Sequence, residues 1–170
     1  MNINFFFIFL FIGLVSIYHF FKPIKIEQQQ FIDIPLFDMN KFTLYELNKE
    51  GLKTLMSGES SIRYSDRYKV SKINFTNNSQ EYILNVTAGN GIYKNKELLL
   101  NNNIIFSRED GLTFQTGSAI YNKESNIIRT QGKYKASIGN NSITGESLIY
   151  NTITRKIKSK NIVMIFQLGE

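Results

Sequence analysis

Gly117-Ser-Ala-Ile-Tyr121 is one of four similar segments that return along the sequence. The others are Gly58-Glu-Ser-Ser-Ile-Arg-Tyr64, Gly89-Asn-Gly-Ile-Tyr93 and Gly145-Glu-Ser-Leu-Ile-Tyr150, and their tyrosines follow one another after 29, 28 and 29 residues. Chance matches are the alternative in a chain rich in Ile, Tyr and Gly, but a fixed period of this size is typical of stacked supersecondary units. We expect each repeated tyrosine to bury its ring in the core, with its hydroxyl at the rim.

Glycine-bearing turns separate the repeats. Gly111 and Gly139 lie 28 residues apart, and each opens the connection to the next copy of the repeat. Leu112-Thr-Phe-Gln-Thr116 and Tyr134-Lys-Ala-Ser-Ile138 alternate apolar and polar side chains, which is the pattern of a half-buried strand. Leu52–Met56 is compatible with a helical turn or a strand. No segment beyond residue 57 has a helical period, so we predict an all-β domain of stacked antiparallel strands that forms an open sandwich.

The N-terminal segment is strongly apolar. Residues 3–21 carry no formal charge apart from a possible one on His19, and they are long enough to cross a hydrocarbon core of about 30 Å as a helix. A cleaved signal peptide is the alternative, but the segment lacks a basic start and a small-residue cleavage site. We therefore predict a transmembrane anchor at residues 1–22, a tether at 23–40 and a β domain at 41–168. Lysines after the anchor weakly favour a cytoplasmic domain, which leaves the orientation open.

The composition argues against catalysis and against metal binding. The chain has no Cys and its single His lies in the predicted anchor, which excludes Ser-His-Asp and Cys-His catalysis and metal sites built on imidazole or thiolate. Glu109-Asp110 is the obvious carboxylate pair, but it lies in a Gly-bearing turn where acidic residues are common. The net charge of +6 is scattered, which disfavours nucleic-acid binding. We expect no enzyme, metal or cofactor; an enzyme acting on envelope glycans is an alternative without a credible carboxylate pair.

The anchor, the tether and the repeated segment together resemble the LptC family. The turn at Asp110-Gly111, the strand that follows it and the segment ending at Tyr121 are similar to the most recognisable stretch of that family. The resemblance covers roughly residues 1–166, and Arg63, inserted before Tyr64, makes the earliest copy a looser fit. It implies an open β-jellyroll in the periplasm, held by a single N-terminal transmembrane helix in the bacterial inner membrane, with the N-terminus in the cytoplasm.

The resemblance also implies a function in lipopolysaccharide export. In this family an apolar interior receives lipid A acyl chains from an ATP-driven inner-membrane transporter, whose subunits are LptB, LptF and LptG. The lipopolysaccharide then passes to the periplasmic bridge protein LptA, whose jellyroll docks by strand addition. The alternative is an assembly scaffold that joins transporter and bridge without itself handling lipid.

Two sets of apolar residues are the candidate functional residues. We expect the lipid groove to be lined by Ile104, Phe106, Leu112, Phe114, Ile120, Tyr134 and Ile138, although plain core packing would produce the same alternation. The C-terminal segment 162–166 is apolar on both faces, so as a strand it would leave an exposed apolar edge unless a partner covers it. We therefore predict one partner edge, facing the transporter, that contains Phe42, Leu44 and Leu47. The other, facing the bridge protein, contains Ile162, Met164 and Phe166.

Overall fold

A computed structural model of the protein describes residues 33–79 and 81–167. These residues form ten β-strands and no helix. The strands are β1 (Phe37–Asn48), β2 (Gly51–Arg63), β3 (Tyr68–Asn77), β4 (Leu84–Lys94), β5 (Glu97–Arg108), β6 (Thr113–Asn122), β7 (Ile127–Thr130), β8 (Lys133–Ile138), β9 (Asn141–Asn151) and β10 (Ile157–Ile165). The predicted all-β domain is confirmed, and Leu52–Met56 lies within a strand, β2.

All ten strands belong to one antiparallel sheet. Nine of them follow one another in the order β1-β2-β3-β4-β5-β6-β7-β9-β10, and β8 pairs with β6 and β9 beside β7. β7 and β8 together fill the place of one strand, because β6 pairs with β7 through residues 119–122 and with β8 through residues 113–116. Most strands pair with their neighbours in sequence, so a succession of hairpins builds the sheet. Within the described residues β1 and β10 each pair on one side only, which makes them the two edges.

Short turns connect the hairpins with residues that suit their backbone. Asn95 and Lys96 connect β4 to β5 with φ of 49° and 64°, as a two-residue type I′ turn requires. Gly111 has a φ of 89°, and its N–H donates to the carbonyl of Arg108 at 2.9 Å. The predicted turns at residues 48–51 and 108–111 are thereby confirmed.

One face of the sheet carries the core, and we call it the inner face. Its buried apolar cluster consists of Ile73, Ala88 and Ile104. A second set of inner-face residues lies two positions away from each cluster member along its strand. These residues pair with one another across neighbouring strands and form a row that crosses the whole sheet. This apolar row contains Leu44, Met56, Phe75, Val86, Phe106, Phe114, Ala136, Ile143 and Met164. Every strand position from edge to edge thus contributes an apolar side chain.

A line of irregular residues crosses the sheet beside the core cluster. Residues with positive φ interrupt five strands at this level: Lys41, Lys72, Asn102, Asn103, Ser147 and Asn161. The register shifts in the same region, between Asn101 and Ile104 of β5 for example. Bulges bend a strand and increase its twist, and asparagine tolerates the left-handed conformation better than most residues. Simple alternation of faces therefore does not extend across this line.

The repeated tyrosines Tyr93, Tyr121 and Tyr150 lie beyond that line in a second row of register partners. This tyrosine row contains Phe37, Arg63, Tyr68, Tyr93, Leu98, Tyr121, Ile128, Tyr150 and Ile157. It lies on the inner face, because residues two positions along the strands, such as Val70 and Ala119, pack against the core cluster. Tyr93 is 37% exposed, so the tyrosines are less buried than expected. Tyr64 lies in a turn, and Arg63 takes its place in the row.

The first strand begins earlier than predicted. Phe37–Asn40 belong to β1 rather than to a tether, because they pair with residues 60–63 of β2. The predicted anchor, residues 1–22, and the predicted tether up to residue 32 lie outside the described residues. Among residues 33–79 and 81–167, no helix is long and apolar enough to cross a membrane.

Two glycines of the repeat predict opposite responses to the same substitution. A Cβ at Gly145 would lie 2.7 Å from Oη and 2.9 Å from Cζ of Tyr134, whose ring is buried and stacked on Phe114. A Cβ at Gly117 would meet nothing within 4 Å. We expect G145A to lower the free energy of unfolding by about 1–3 kcal/mol. G117A, the control, should leave it unchanged or raise it by up to about 1 kcal/mol. Denaturant unfolding measures both, and equal effects would contradict this packing.

Candidate functional site

The apolar row forms an incompletely covered surface. Its end members Leu44 and Met164 are 52% and 51% exposed, and the members between them are half-buried. No large side chain among the described residues is fully buried. On the opposite face the adjacent register row contains Thr43, Ser57, Asn74, Thr87, Ile105, Gln115, Lys135, Thr144 and Val163. At this level of the sheet the outer face is therefore mostly polar, whereas the inner face is apolar and only partly covered by the domain's own side chains.

The structure brings four of the predicted groove residues together. Ile104 and Tyr134 are buried on the inner face, and Phe106 and Phe114 lie beside them, half-buried and in direct register. The rings of Phe114 and Tyr134 stack with centroids 5.4 Å apart, and the Tyr134 hydroxyl donates to Ser159 at 2.8 Å. These contacts fix the orientation of the aromatic side chains within the open surface.

The other predicted groove residues lie elsewhere. Ile120 pairs with Leu99 and Arg129 on the outer face, because β6 changes its partner between Thr116 and Ala119 and the alternation is interrupted there. Leu112 precedes β6 in the turn, and Ile138 is 42% exposed at the end of β8. The sequence prediction also missed other members of the apolar row: Met56, Phe75, Val86, Ala136 and Ile143. Alternation within each strand could have selected most of them, but only the register shows that they form one row.

Charged side chains are rare on the inner face and lie towards the ends of the strands. The register of the described strands places Glu46, Arg63 and Arg108 there. Arg108 donates through Nε and Nη2 to Asp110 at 2.8 and 2.6 Å. This ion pair lowers the pKa of the Asp110 carboxyl and raises that of Arg108, so both groups stay charged. Lys53 and the Thr54 hydroxyl donate to Glu46, which lowers the pKa of Glu46.

The opposite strand ends carry a cluster of cations and tyrosines. Asp66 accepts from Lys94 and from Arg67, each at 2.7 Å, and these bonds lower the pKa of Asp66, with Lys94 as the larger cause. Arg67 also pairs with Asp33 and lies over the ring of Tyr64 at 4.3 Å. The turn between β2 and β3 is thus held by ion pairs.

The two sheet edges are exposed and apolar. Leu47 on β1, and Ile162 and Phe166 at the C-terminal end, are exposed by 71%, 45% and 64%. Phe42 differs from the prediction, because its ring packs where a Gly58 Cβ would lie and is only 8% exposed. Phe42 therefore belongs to the core rather than to an accessible edge.

Polar groups supply no second candidate site among the described residues. A shallow depression of about 720 Å³ lies mainly on the outer face, lined by polar side chains such as Gln115, Lys135 and Asn161, and it shares Tyr134 with the predicted groove. No group of three or more His, Asp or Glu side chains in residues 33–79 and 81–167 could hold a metal ion. The inner face and the two edges are thus the candidate functional surfaces of the described residues.

Comparison with known proteins supplies the family. No curated protein matches the sequence significantly. Among solved structures, one similar chain is LptH from Pseudomonas aeruginosa, described as the LptA homologous periplasmic component of the conserved lipopolysaccharide transport device. It is 11% identical, the match covers 81% of this chain and 98% of LptH, and the TM-score is 0.43. The family model "Lipopolysaccharide-assembly, LptC-related" matches residues 5–164. The predicted family is therefore confirmed, and the chain belongs to the LptC-related lipopolysaccharide-assembly family.

Proposed function

We propose that the protein is a membrane-anchored periplasmic carrier of lipopolysaccharide. It receives lipid A acyl chains on its inner face from the inner-membrane transporter formed by LptB, LptF and LptG, and passes them to LptA. The observation that carries this proposal is the apolar row, which crosses the sheet from Leu44 to Met164 and remains partly exposed. Membership of a lipopolysaccharide-assembly family supports the choice of lipid.

The large side chains of the inner face are only partly buried. A core that only stabilised the domain would bury its large side chains, whereas Phe75, Phe106 and Phe114 remain half-buried. Removal of an acyl CH₂ group from water contributes about 0.8 kcal/mol, so a few acyl chains laid against this surface gain substantial free energy. The adjacent outer row is mostly polar and offers no comparable surface at this level of the sheet, which favours lipid on the inner face.

The predicted N-terminal anchor supports the location. Residues 3–21 form an apolar segment of membrane-spanning length, followed by a mixed segment that leads into β1. A domain held beside the inner membrane would stand close to the transporter that supplies the lipid. The proposed location is the bacterial inner membrane, with the β domain in the periplasm.

The second candidate is an assembly scaffold, and the exposed edges favour it. Within the described part of the chain β1 and β10 each have one free side, and both carry exposed apolar residues such as Leu47 and Val163. Free strand edges of this kind pair readily with strands of other proteins. A scaffold would use both edges and leave the inner face without a ligand, so the inner face separates the two candidates.

Photo-crosslinking from the inner face tests the carrier directly. A photoreactive phenylalanine at Phe106 should capture lipopolysaccharide when the transporter and ATP are present. The same probe at Ile105, the neighbouring residue on the outer face, should give background capture only. Equal capture at the two positions, or capture at Phe106 that the transporter and ATP do not increase, would contradict transfer onto the inner face.

A further inference from the structure

Arg63 differs from the other charges of the inner face because it has no ion-pair partner. Glu46 and Arg108 are each paired, whereas within the described residues the Arg63 guanidinium takes part in no hydrogen bond or ion pair. The Arg63 Cζ lies over the ring of Tyr68, 5.5 Å from its centroid. The side chain is exposed. One end of the apolar inner face therefore carries a positive charge that no ion pair among residues 33–79 and 81–167 neutralises.

The aromatic neighbours give this cation a defined place. Tyr68 lies between Arg63 and Tyr93 in the tyrosine row, and the rings of Tyr68 and Tyr93 are 6.5 Å apart. A guanidinium over a ring is held by the cation–π attraction and still has N–H groups free for an anion. The ring thus orients Arg63 without satisfying its donors.

The opposite end of the same face is closed to anions. Arg108 occupies that end, but Asp110 accepts two of its N–H groups and cancels its charge. Glu109 lies in the same turn, and Glu46 lies on the corresponding row of β1. An amphiphile with an anionic headgroup meets at Arg63 a guanidinium without an ion-pair partner among the described residues, whereas the charges of Arg108 and Glu46 at the other end are already paired. The inner face is therefore electrically asymmetric along its strands.

We infer that Arg63 binds a phosphate group of the lipid headgroup and so sets the direction in which the lipid lies on the inner face. The planar fork of an arginine matches phosphate oxygens in a bidentate arrangement. Met56 is the apolar-row member on the same strand as Arg63. At about 3.3 Å per residue the two residues lie roughly 20 Å apart, which is comparable to the length of an extended acyl chain. The inference rests on the proposed carrier function and adds the orientation of its substrate.

The test compares two lipids on three full-length proteins. Wild type, R63Q and K69Q are placed in nanodiscs of uncharged phosphatidylcholine, each with the photoreactive probe at Phe106. The ligands are lipid A with both phosphates and the same lipid A without phosphate. K69Q is the matched control, because Lys69 lies at the same end of the domain but on the outer face, paired with Ile62 and Ile92.

We expect wild type and K69Q to capture phosphorylated lipid A preferentially. R63Q should reduce that preference roughly threefold to tenfold, as expected for one exposed charge-assisted contact, and should capture the dephosphorylated lipid as well as wild type does. Excess inorganic phosphate should not displace the lipid, because one exposed guanidinium binds free phosphate weakly.

Other outcomes overturn the inference in distinguishable ways. Capture of both lipids without preference by wild type, or an unchanged preference in R63Q, would remove Arg63 as the headgroup site and leave the carrier intact. Failure of wild type to capture either lipid would remove the carrier and the inference together. Displacement by inorganic phosphate would assign Arg63 to a free anion. An R63Q effect that appears only in anionic phosphatidylglycerol nanodiscs would assign it to the membrane surface.

Discussion

The double variant F106N/F114N should lose lipopolysaccharide capture by roughly tenfold or more and should fail to support export in cells. The two rings are direct register partners in the middle of the apolar row, and both are half-buried. Burial of a phenylalanine side chain contributes about 1.5–3 kcal/mol, so the loss of either ring from a lipid contact corresponds to about a tenfold change or more. Capture by the purified full-length protein and growth after depletion of the wild-type protein measure the two effects.

The control is I105N, which changes the residue next to Phe106. Ile105 is also half-buried but pairs with Thr87 and Gln115 on the outer face. The I105N variant should lose apolar burial within the domain, but its capture and export of lipopolysaccharide should stay normal. Thermal unfolding of both variants separates lost binding from lost folding. Normal export by a folded F106N/F114N protein would contradict the carrier and favour the scaffold.

The sequence predicted the strands well because their physical signals are local. Alternation at Leu112–Thr116 and Tyr134–Ile138 and the glycine of the 108–111 turn depend on residues that are close in the chain. The repeat predicted stacked hairpins for the same reason, since each copy contributes a strand and its return. Phe106 and Phe114 were found together because the hairpin turn between them sets their register.

Two failures of prediction, at Ile120 and at Tyr64, coincide with the line of bulges. Strict alternation along β6 would place Ile120 on the same face as Phe114. The alternation is interrupted where the pairing partner of β6 changes from β8 to β7. The last copy of the repeat has one residue more between its glycine and tyrosine than the preceding copy, and the positive φ of Ser147 lies within that stretch. In the first copy Arg63 enters the row and Tyr64 passes beyond it. Such shifts depend on how neighbouring strands bend, which the local sequence does not encode.

The exposed edges could be predicted only in part. Ile162–Phe166 is apolar on both faces, which local sequence reveals, and the exposure of the segment agrees with that pattern. Phe42 has the same apolar character, yet it is buried because a glycine on the neighbouring strand leaves room for its ring. The difference lies in a contact between residues 42 and 58, which no property of β1 alone could predict.

A proline on β10 should block docking of LptA at the C-terminal edge. Among the described strands β10 pairs only with β9, so one side of its backbone is available for strand addition. Successive N–H groups of a strand point to alternate sides, so one of the variants V163P and M164P leaves the β9–β10 bonds intact and alters the free side alone. Each net hydrogen bond contributes about 0.5–1.5 kcal/mol. Proline removes one N–H donor, and the loss of that bond predicts binding weaker by roughly fivefold.

Matched variants on the other edge make this prediction specific. L44P and Y45P place the same change on β1, which pairs only with β2. If β1 faces the transporter, the variant of this pair that stays folded should weaken assembly with LptB, LptF and LptG and leave LptA binding unchanged, whereas the folded β10 variant should do the reverse. Thermal unfolding identifies the folded member of each pair, and pull-down of each partner by the full-length protein measures binding. A folded β10 variant that still binds LptA normally would place the docking surface away from this strand.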